Sequence, residues 1–423
     1  MSRQIQNDLP ELVDAGVITE DTAQRIRDYY IAKEEESPNR LLLVFGTLGA
    51  LLVGLGIILI VAHNWDNLTR TSRIVFAMLP MAIGQGICAY ALLRRRPSQL
   101  WNESAAVFLF FATAASIAIV SQVYHVDGSL KDFLLTWFVL TLPLPYVMRS
   151  SATSLLFIFG ITVYACVVGY VESDGTPWYY WMLLACVLPF AVSVMAKVDG
   201  NFAAFHRWII CLSLLITLGA FDSRSEMLPL AYMTLFSLMI LLGDHPLYAK
   251  VRLISNAFLV VGSIGGVIVL LTYTFRSVWQ YTSVEAFVYD EGFFVTLLLV
   301  IAAAIMLVLA IRERGVRQVH PNSWLFLVFI VVFTLGSINN LFFPWLCNLL
   351  LLVIGVITTR RGAEKDNMVI LNYGLMIMTV LILSRFLDTH MTFVVRGILF
   401  LIVGFSFFAA NYWLLKKRKA QKV

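Results

Sequence analysis

The chain has 423 residues, 60% of them hydrophobic and 13% charged, with a formal net charge of +5. A soluble domain carries about 25% charged residues, so this composition, with a mean hydropathy of +0.82, excludes a fold that covers itself with polar groups and makes the bilayer its solvent. The basic residues lie in short clusters between apolar runs, which excludes a nucleic-acid partner.

Residues 1–40 read as a separate soluble helical hairpin. Met1 to Arg40 carries both charge signs and no apolar run, unlike a signal peptide. Asp8 to Ala15 predicts a short helix stopped by Gly16, and Thr19 is a good N-cap for a second helix from Glu20 to about Glu35. Leu9, Leu12 and Val13 can pack against Val17, Ile18, Ala23, Ile26 and Tyr30. The hairpin is either a docked appendage or a module that binds a cytoplasmic protein partner.

From Leu41 onward, apolar runs of membrane length alternate with short polar loops. About 20 apolar residues cross the hydrocarbon core as a helix. About fourteen such runs are predicted: 41–62, 74–93, 104–121, 132–148, 152–171, 178–196, 206–221, 227–243, 253–274, 292–311, 323–338, 340–358, 367–384 and 391–414. Long uninterrupted runs do not show the period-two alternation of strands. The expected fold is therefore an all-α polytopic transmembrane bundle over 41–415, closed by a basic tail at 416–423.

Charge orients it. With the N-terminus in the cytoplasm, 24 of the 31 basic residues fall on cytoplasmic segments, while Arg70, Arg73, Lys131, Arg224, Arg276 and Arg385 fall outside. This is the positive-inside pattern, and it puts both termini in the cytoplasm.

The outer ends of the helices then collect polar residues. The first run exits at His63, Asn64, Trp65 and Asp66, the third at Gln122, Tyr124, His125 and Asp127, the thirteenth at Arg385, Asp388 and His390. Arg396 stands about five residues into the last helix, roughly 8 Å deep at 1.5 Å per residue. A charge at such depth faces an acidic partner (Asp388, Asp127 or Asp66), snorkels, or meets a substrate. His63 with Asp66, His125 with Asp127 and His390 with Asp388 have no metal-ligand spacing, so no metal is expected. The five cysteines read as buried apolar residues. Trp65, Trp101, Trp178, Trp181, Trp279, Trp324 and Trp413 read as interfacial anchors. Gly46, Ala50 and Gly54, like Gly262 and Gly266, recur every four positions and predict close helix packing. Prolines 80, 143, 145, 189, 229 and 344 mark kinks or, in a transporter, broken helices. No GxSxG, HExxH, Walker A or dinucleotide fingerprint is present, so no cofactor is expected and catalysis is disfavoured.

The segments "LVDAGVITEDTAQRI", "GLGIILIVAHNWDNLTRTSRI" and "SQVYHVDGSLKDFLLTWFVLTLPLPY" resemble the bacterial predicted membrane proteins of domain of unknown function 2157. The end, from "NNLFFPWLCNLLLLVIGVITTRRG" through "NYGLMIMTVLILSRFLDTHMTFVVRGILFLIVGFSFFAANYWLLKKR", is similar to the C-terminal half of proteins in that group. Asn64, Trp65, Arg73, Gln122, His125, Trp137, Asn372, Arg385, Phe386, Asp388, Arg396, Gly397 and Asn411 carry the likeness, while about 180–320 matches poorly. The resemblance implies a bacterial inner-membrane protein and brings no activity with it.

The expected function is transport or flipping of an anionic or lipid-linked small molecule through an outer-face site. Arg396, Arg385 and Arg73 would attract the anion, and Asp388, His63, Asn64, Gln122 and His125 would complete the polar surface. The alternatives are a non-catalytic scaffold or sensor working through residues 1–40, and an enzyme using helix-end side chains on lipid-linked sugars.

Overall fold

The computed structural model describes residues 9–36, 40–63, 69–95, 98–172, 175–197, 200–221, 227–248, 251–279, 291–316, 318–336, 342–386 and eight positions between 393 and 408. Among these residues every regular element is a helix. The hairpin forms as its caps predict. Helix α1 (9–14) ends at Gly16 in the left-handed region (φ +67°), and α2 (Glu20–Glu36) starts where Thr19 Oγ1 accepts from the Thr22 amide. Leu9 and Ala23 are buried.

Each of the fourteen apolar runs contains helix among its described residues, with breaks inside runs at Leu142–Pro143 and Asn256. Among the described residues, nine helices are long and apolar enough to cross a membrane. They are α4 (Arg70–Arg94), α5 (Gln99–Tyr124), α6 (Leu130–Thr141) with α7 (Leu144–Met148), and α8 (Ser151–Cys166) with a π-helical end at Val167–Glu172. The others are α9 (Trp178–Met195), α10 (Asn201–Phe221), α14 (Glu291–Arg314), α16 (Phe343–Glu364) and α17 (Met368–Phe386). The apolar helices α3 (Arg40–His63, described for its side chains over Val44–Gly56), α11 (Leu228–Gly243), α12 (Ala257–Thr272) and α15 (Leu325–Gly336) are shorter or less completely described. Between α12 and α14 lies α13 (Arg276–Trp279).

The chain divides into two compact units, Met1–Tyr164 with Trp178–Val194, and Ala165–Pro177 with Met195–Val423. In the first, α5 is the helix on which α3, α4, α6 and α7 pack. Its alanines and serine (Ala105, Ala106, Ala112, Ala114, Ala115, Ser116) are buried and let neighbouring backbones approach. The predicted small-residue face of α3 is used there. A Cβ on Gly46 would stand 2.6 Å from Leu100, and one on Gly54 3.1 Å from Phe111. Trp137 donates from Nε1 to the Phe110 carbonyl (2.8 Å) and stacks on Phe138, closing an aromatic core with Phe157.

A buried carboxyl group ties α5 to α8 in this unit. Glu103 is fully buried in the second turn of α5, and its carboxylate accepts from Ser150 Oγ (2.5 Å) and from the Ser151 and Ala152 amides (both 2.9 Å). These are the orphan donors of the α8 N-terminus, where the positive end of the helix dipole favours an anion. Arg149, at φ +50°, turns the chain from α7 into that position.

In the second unit α11 is central and packs on α10, α12, α14 and α15, while α16 and α17 form a tight antiparallel pair. Glycine allows that pairing: a Cβ on Gly362 would lie 2.3 Å from the Leu371 amide nitrogen, and one on Gly374 2.5 Å from that of Thr359. The anchor expected at Trp279 is instead a core residue. It is 1% exposed, donates to the Tyr273 carbonyl (2.8 Å) and lies with its ring against Gly336, because α13 folds inward rather than out to the interface. Cys88, Cys211 and Cys347 are buried as expected, but Cys186 is exposed on α9, where an apolar side chain can face lipid. Arg207, inside the predicted run 206–221, is buried within α10; its Nε donates to the Ser255 carbonyl (2.7 Å) and its guanidinium lies 5.4 Å from the centre of the Tyr248 ring.

Candidate functional site

The residues expected to form an outer-face site are divided between the units. In the first, Arg73 lies one turn into α4, and Gln122 and His125 lie at the end of α5, both exposed. His125 caps α5 at φ +50°, a left-handed position histidine tolerates. The start of α4 and the end of α5 share one end of the unit, since the Arg70 guanidinium lies 5.2 Å from the Tyr124 ring centre. His63 closes α3, its side chain outside the described set; Asn64, Asp388 and Arg396 are likewise outside the described residues.

Arg385 belongs to the second unit and is 8% exposed. It donates to the Thr274 carbonyl (3.1 Å) and hydroxyl (2.8 Å), and its guanidinium stacks 4.5 Å from the Phe275 ring centre. Asn348 donates to the carbonyls of Pro344 (2.7 Å) and Thr274 (3.4 Å). The arginine fork is thereby engaged in holding the C-terminal end of α12, where backbone carbonyls lack helical partners.

The site with room for a ligand lies elsewhere in the second unit. A cavity of about 250 Å³ opens among α12, the turn before α15, α16 and α17. Leu253, Leu259, Val260, Ile264, Val369 and Ile370 form its apolar wall. Leu253, Ile264 and Val369 are exposed at 39%, 46% and 60%, so this wall continues onto the apolar surface of the helices. The polar part consists of Ser263, His320, Asn322, Thr358 and Tyr373.

Local structure fixes the polar part. His320 is the N-cap of the short 3-10 helix Pro321–Trp324, and its Nδ1 accepts from the Asn322 amide. Nδ1 therefore carries no proton, and the neutral ring bears its hydrogen on Nε2. Burial, reinforced by the charges of Arg361 and Lys365, pushes the His320 imidazole down to about 4, so it is neutral at pH 7. The turn is fastened by Asp244, whose carboxylate accepts from the His320 amide (3.3 Å) and forms a salt bridge with Arg314 (2.9 Å). The opposite wall is fastened from α10: Arg207 holds Ser255, and Trp208 Nε1 donates to the Ile254 carbonyl (2.9 Å). Asn256 caps α12 through Leu259 and donates to Gly243 (2.8 Å).

Against this bonded frame, the lining groups stand out. Among the described residues, the Asn322 amide and the Ser263 and Thr358 hydroxyls have no side-chain hydrogen-bond partner, although Asn322 is only 4% exposed. The Tyr373 hydroxyl is buried and likewise without a partner. Asp244 is matched by Arg314, and Arg361 and Lys365 add a positive potential at His320.

Sequence reasoning singled out none of these residues. A histidine–proline–asparagine step opening an apolar run was a visible signal, but it lay on the basic side, and the polar set on the opposite side drew the inference. Among the described residues no group of three His, Cys, Asp or Glu side chains could hold a metal.

No curated protein and no solved structure matches the chain. Residues 10–154, from α1 to the start of α8, match the family described as predicted membrane protein (DUF2157), while the C-terminal stretch that resembles the same group lies outside the match. Over that N-terminal segment, and over no more of its length, the chain is similar to the DUF2157 predicted membrane proteins.

Proposed function

We propose that this membrane protein binds an anionic amphipathic or lipid-linked molecule at the cavity of the second unit and carries it across the bilayer. The observation behind this reading is the grading of one wall, from exposed Leu253, Ile264 and Val369 to Ser263, His320 and Asn322 under the charges of Arg361 and Lys365. Ligand sites are concave, mostly apolar and furnished with a few convergent polar groups. Polar side chains within a spanning bundle mark substrate pathways. In this reading the bilayer is the bacterial inner membrane, the basic segments with Arg361 and Lys365 are cytoplasmic, and the cavity is the inner station. An outer station draws on Arg73, Gln122 and His125 at one end of the first unit.

The test is a flipping assay in proteoliposomes with a fluorescent short-chain phosphatidylglycerol, read as inner-leaflet probe becoming accessible to dithionite. The protein should accelerate this exchange, and Val369→Trp, which fills the cavity mouth, should return it to the protein-free rate. Equal exchange with and without protein would remove the reading.

A scaffold or sensor role draws on a separate observation: the hairpin of α1 and α2 buries Leu9 and Ala23 and carries its own caps. Deleting residues 1–35 separates the two, since a carrier keeps its exchange activity and a scaffold loses its cytoplasmic partner.

A further inference from the structure

We infer that the cavity of the second unit selects an alkyl chain ending in an anionic oxygen group, a phosphate or carboxylate, which it reads by neutral hydrogen-bond donors, His320 Nε2–H and the Asn322 amide. The inference rests on the proposed binding role of that cavity and adds which end of the ligand enters and what recognises it.

Three observations carry it. The first is the tautomer. The Asn322 backbone amide occupies His320 Nδ1, so the remaining ring nitrogen of this neutral histidine offers a hydrogen and cannot accept one. The second is the Asn322 side chain. It is 4% exposed, lines the cavity, and has no hydrogen-bond partner among the described residues. Its polar atoms open onto the cavity, where a ligand or water completes them. With Ser263 and Thr358 beside them, these groups form a cluster rich in donors, which suits an oxygen anion with several lone pairs.

The third is the field. Arg361 and Lys365 add a positive potential at His320, while the Asp244 carboxylate that accepts from the His320 amide is held by Arg314. An ammonium head group would be opposed by that positive potential, and His320 Nε2–H would offer it no acceptor. A cavity of about 250 Å³ takes a head group and the first carbons of a chain, being below the size of sites that enclose whole drug-sized ligands. The rest of the chain leaves past Ile264 and Val369, which are exposed along the helix surface. The anion is thus held by neutral donors within a positive field rather than by a direct ion pair, which leaves it free to depart.

The experiment titrates the full chain in nanodiscs of neutral lipid with dodecyl phosphate, dodecanoate, dodecyltrimethylammonium and inorganic phosphate alone. Dodecyl phosphate and dodecanoate should bind, and the other two should not. Asn322→Asp, which places a charge against the anion, should weaken the binding about tenfold or more, Asn322→Ala should weaken it less, and His320→Gln, which keeps a terminal N–H, should weaken it less than His320→Leu. If the ammonium amphiphile binds as tightly as the phosphate and both are lost in Val369→Trp, the head-group inference falls while the cavity remains a binding site. Inorganic phosphate binding as well as its alkyl ester would overturn the alkyl part. If no probe binds, the head-group inference and the proposed binding role fall together.

Discussion

Two buried polar clusters, one in each unit, have opposite bonding states. Around Glu103 the start of α8 is bonded: a hydroxyl and two amides converge on one carboxylate. Around the cavity the frame is held by Asp244, Arg314, Arg207 and Asn256, but among the described residues the Asn322, Ser263, Thr358 and Tyr373 side chains on the inner surface have no hydrogen-bond partner. A saturated buried charge is a fastening, since removing one member strands the others. An unsaturated cluster beside empty space adds little to the fold and is available to a ligand. Side-chain polarity alone does not distinguish the two; the bonding of each group does.

The contrast can be tested by mutation, beginning with the largest effect. Glu103→Ala should destabilise the protein by about 3 kcal/mol, since it strands the helix donors, and Glu103→Gln, which keeps an acceptor, should cost less. Thermal denaturation in detergent would check both. If Glu103→Ala unfolds at the native temperature, the saturated cluster is no fastening. Next, Gly362→Leu should cost about 1–3 kcal/mol by forcing apart α16 and α17. Because Thr358, Val369 and Tyr373 stand on those helices, amphiphile binding should weaken with it, measured on the same sample.

The His320 imidazole gives a pH effect of intermediate size. Its folded value of about 4 lies below the ordinary 6.5, so between these the unfolded chain takes up a proton that the folded chain refuses. Stability contributed by the neutral ring is complete above about 6.5 and falls as the pH drops toward 4, by about 1 kcal/mol per unit. His320→Gln should flatten that part of the stability profile. The smallest effect is expected at Asn322. Asn322→Ala should change stability by no more than about 0.5 kcal/mol, while weakening amphiphile binding. A large loss of stability there would mean that Asn322 fastens the fold as Glu103 does.

Much of the architecture was legible in the residues. The runs of apolar side chains give the helices, Thr19 and Gly16 give the hairpin its caps, and Gly46 and Gly54 mark the face that α3 presents to α5. These are properties of one helix or one turn, set by length, hydropathy and local hydrogen bonding, so neighbouring residues suffice to specify them. Trp279 shows the limit: a tryptophan near a helix end is an anchor or a core residue according to whether Gly336 and Tyr273 are there to receive it. Glu103 shows it again, because its partners at 150–152 stand 47 to 49 residues along the chain. The cavity draws its lining from positions as far apart as Leu253 and Tyr373. Hydropathy decides that a side chain leaves water. Only the meeting of helices decides whether, once there, it finds a partner or is left beside a space for a ligand.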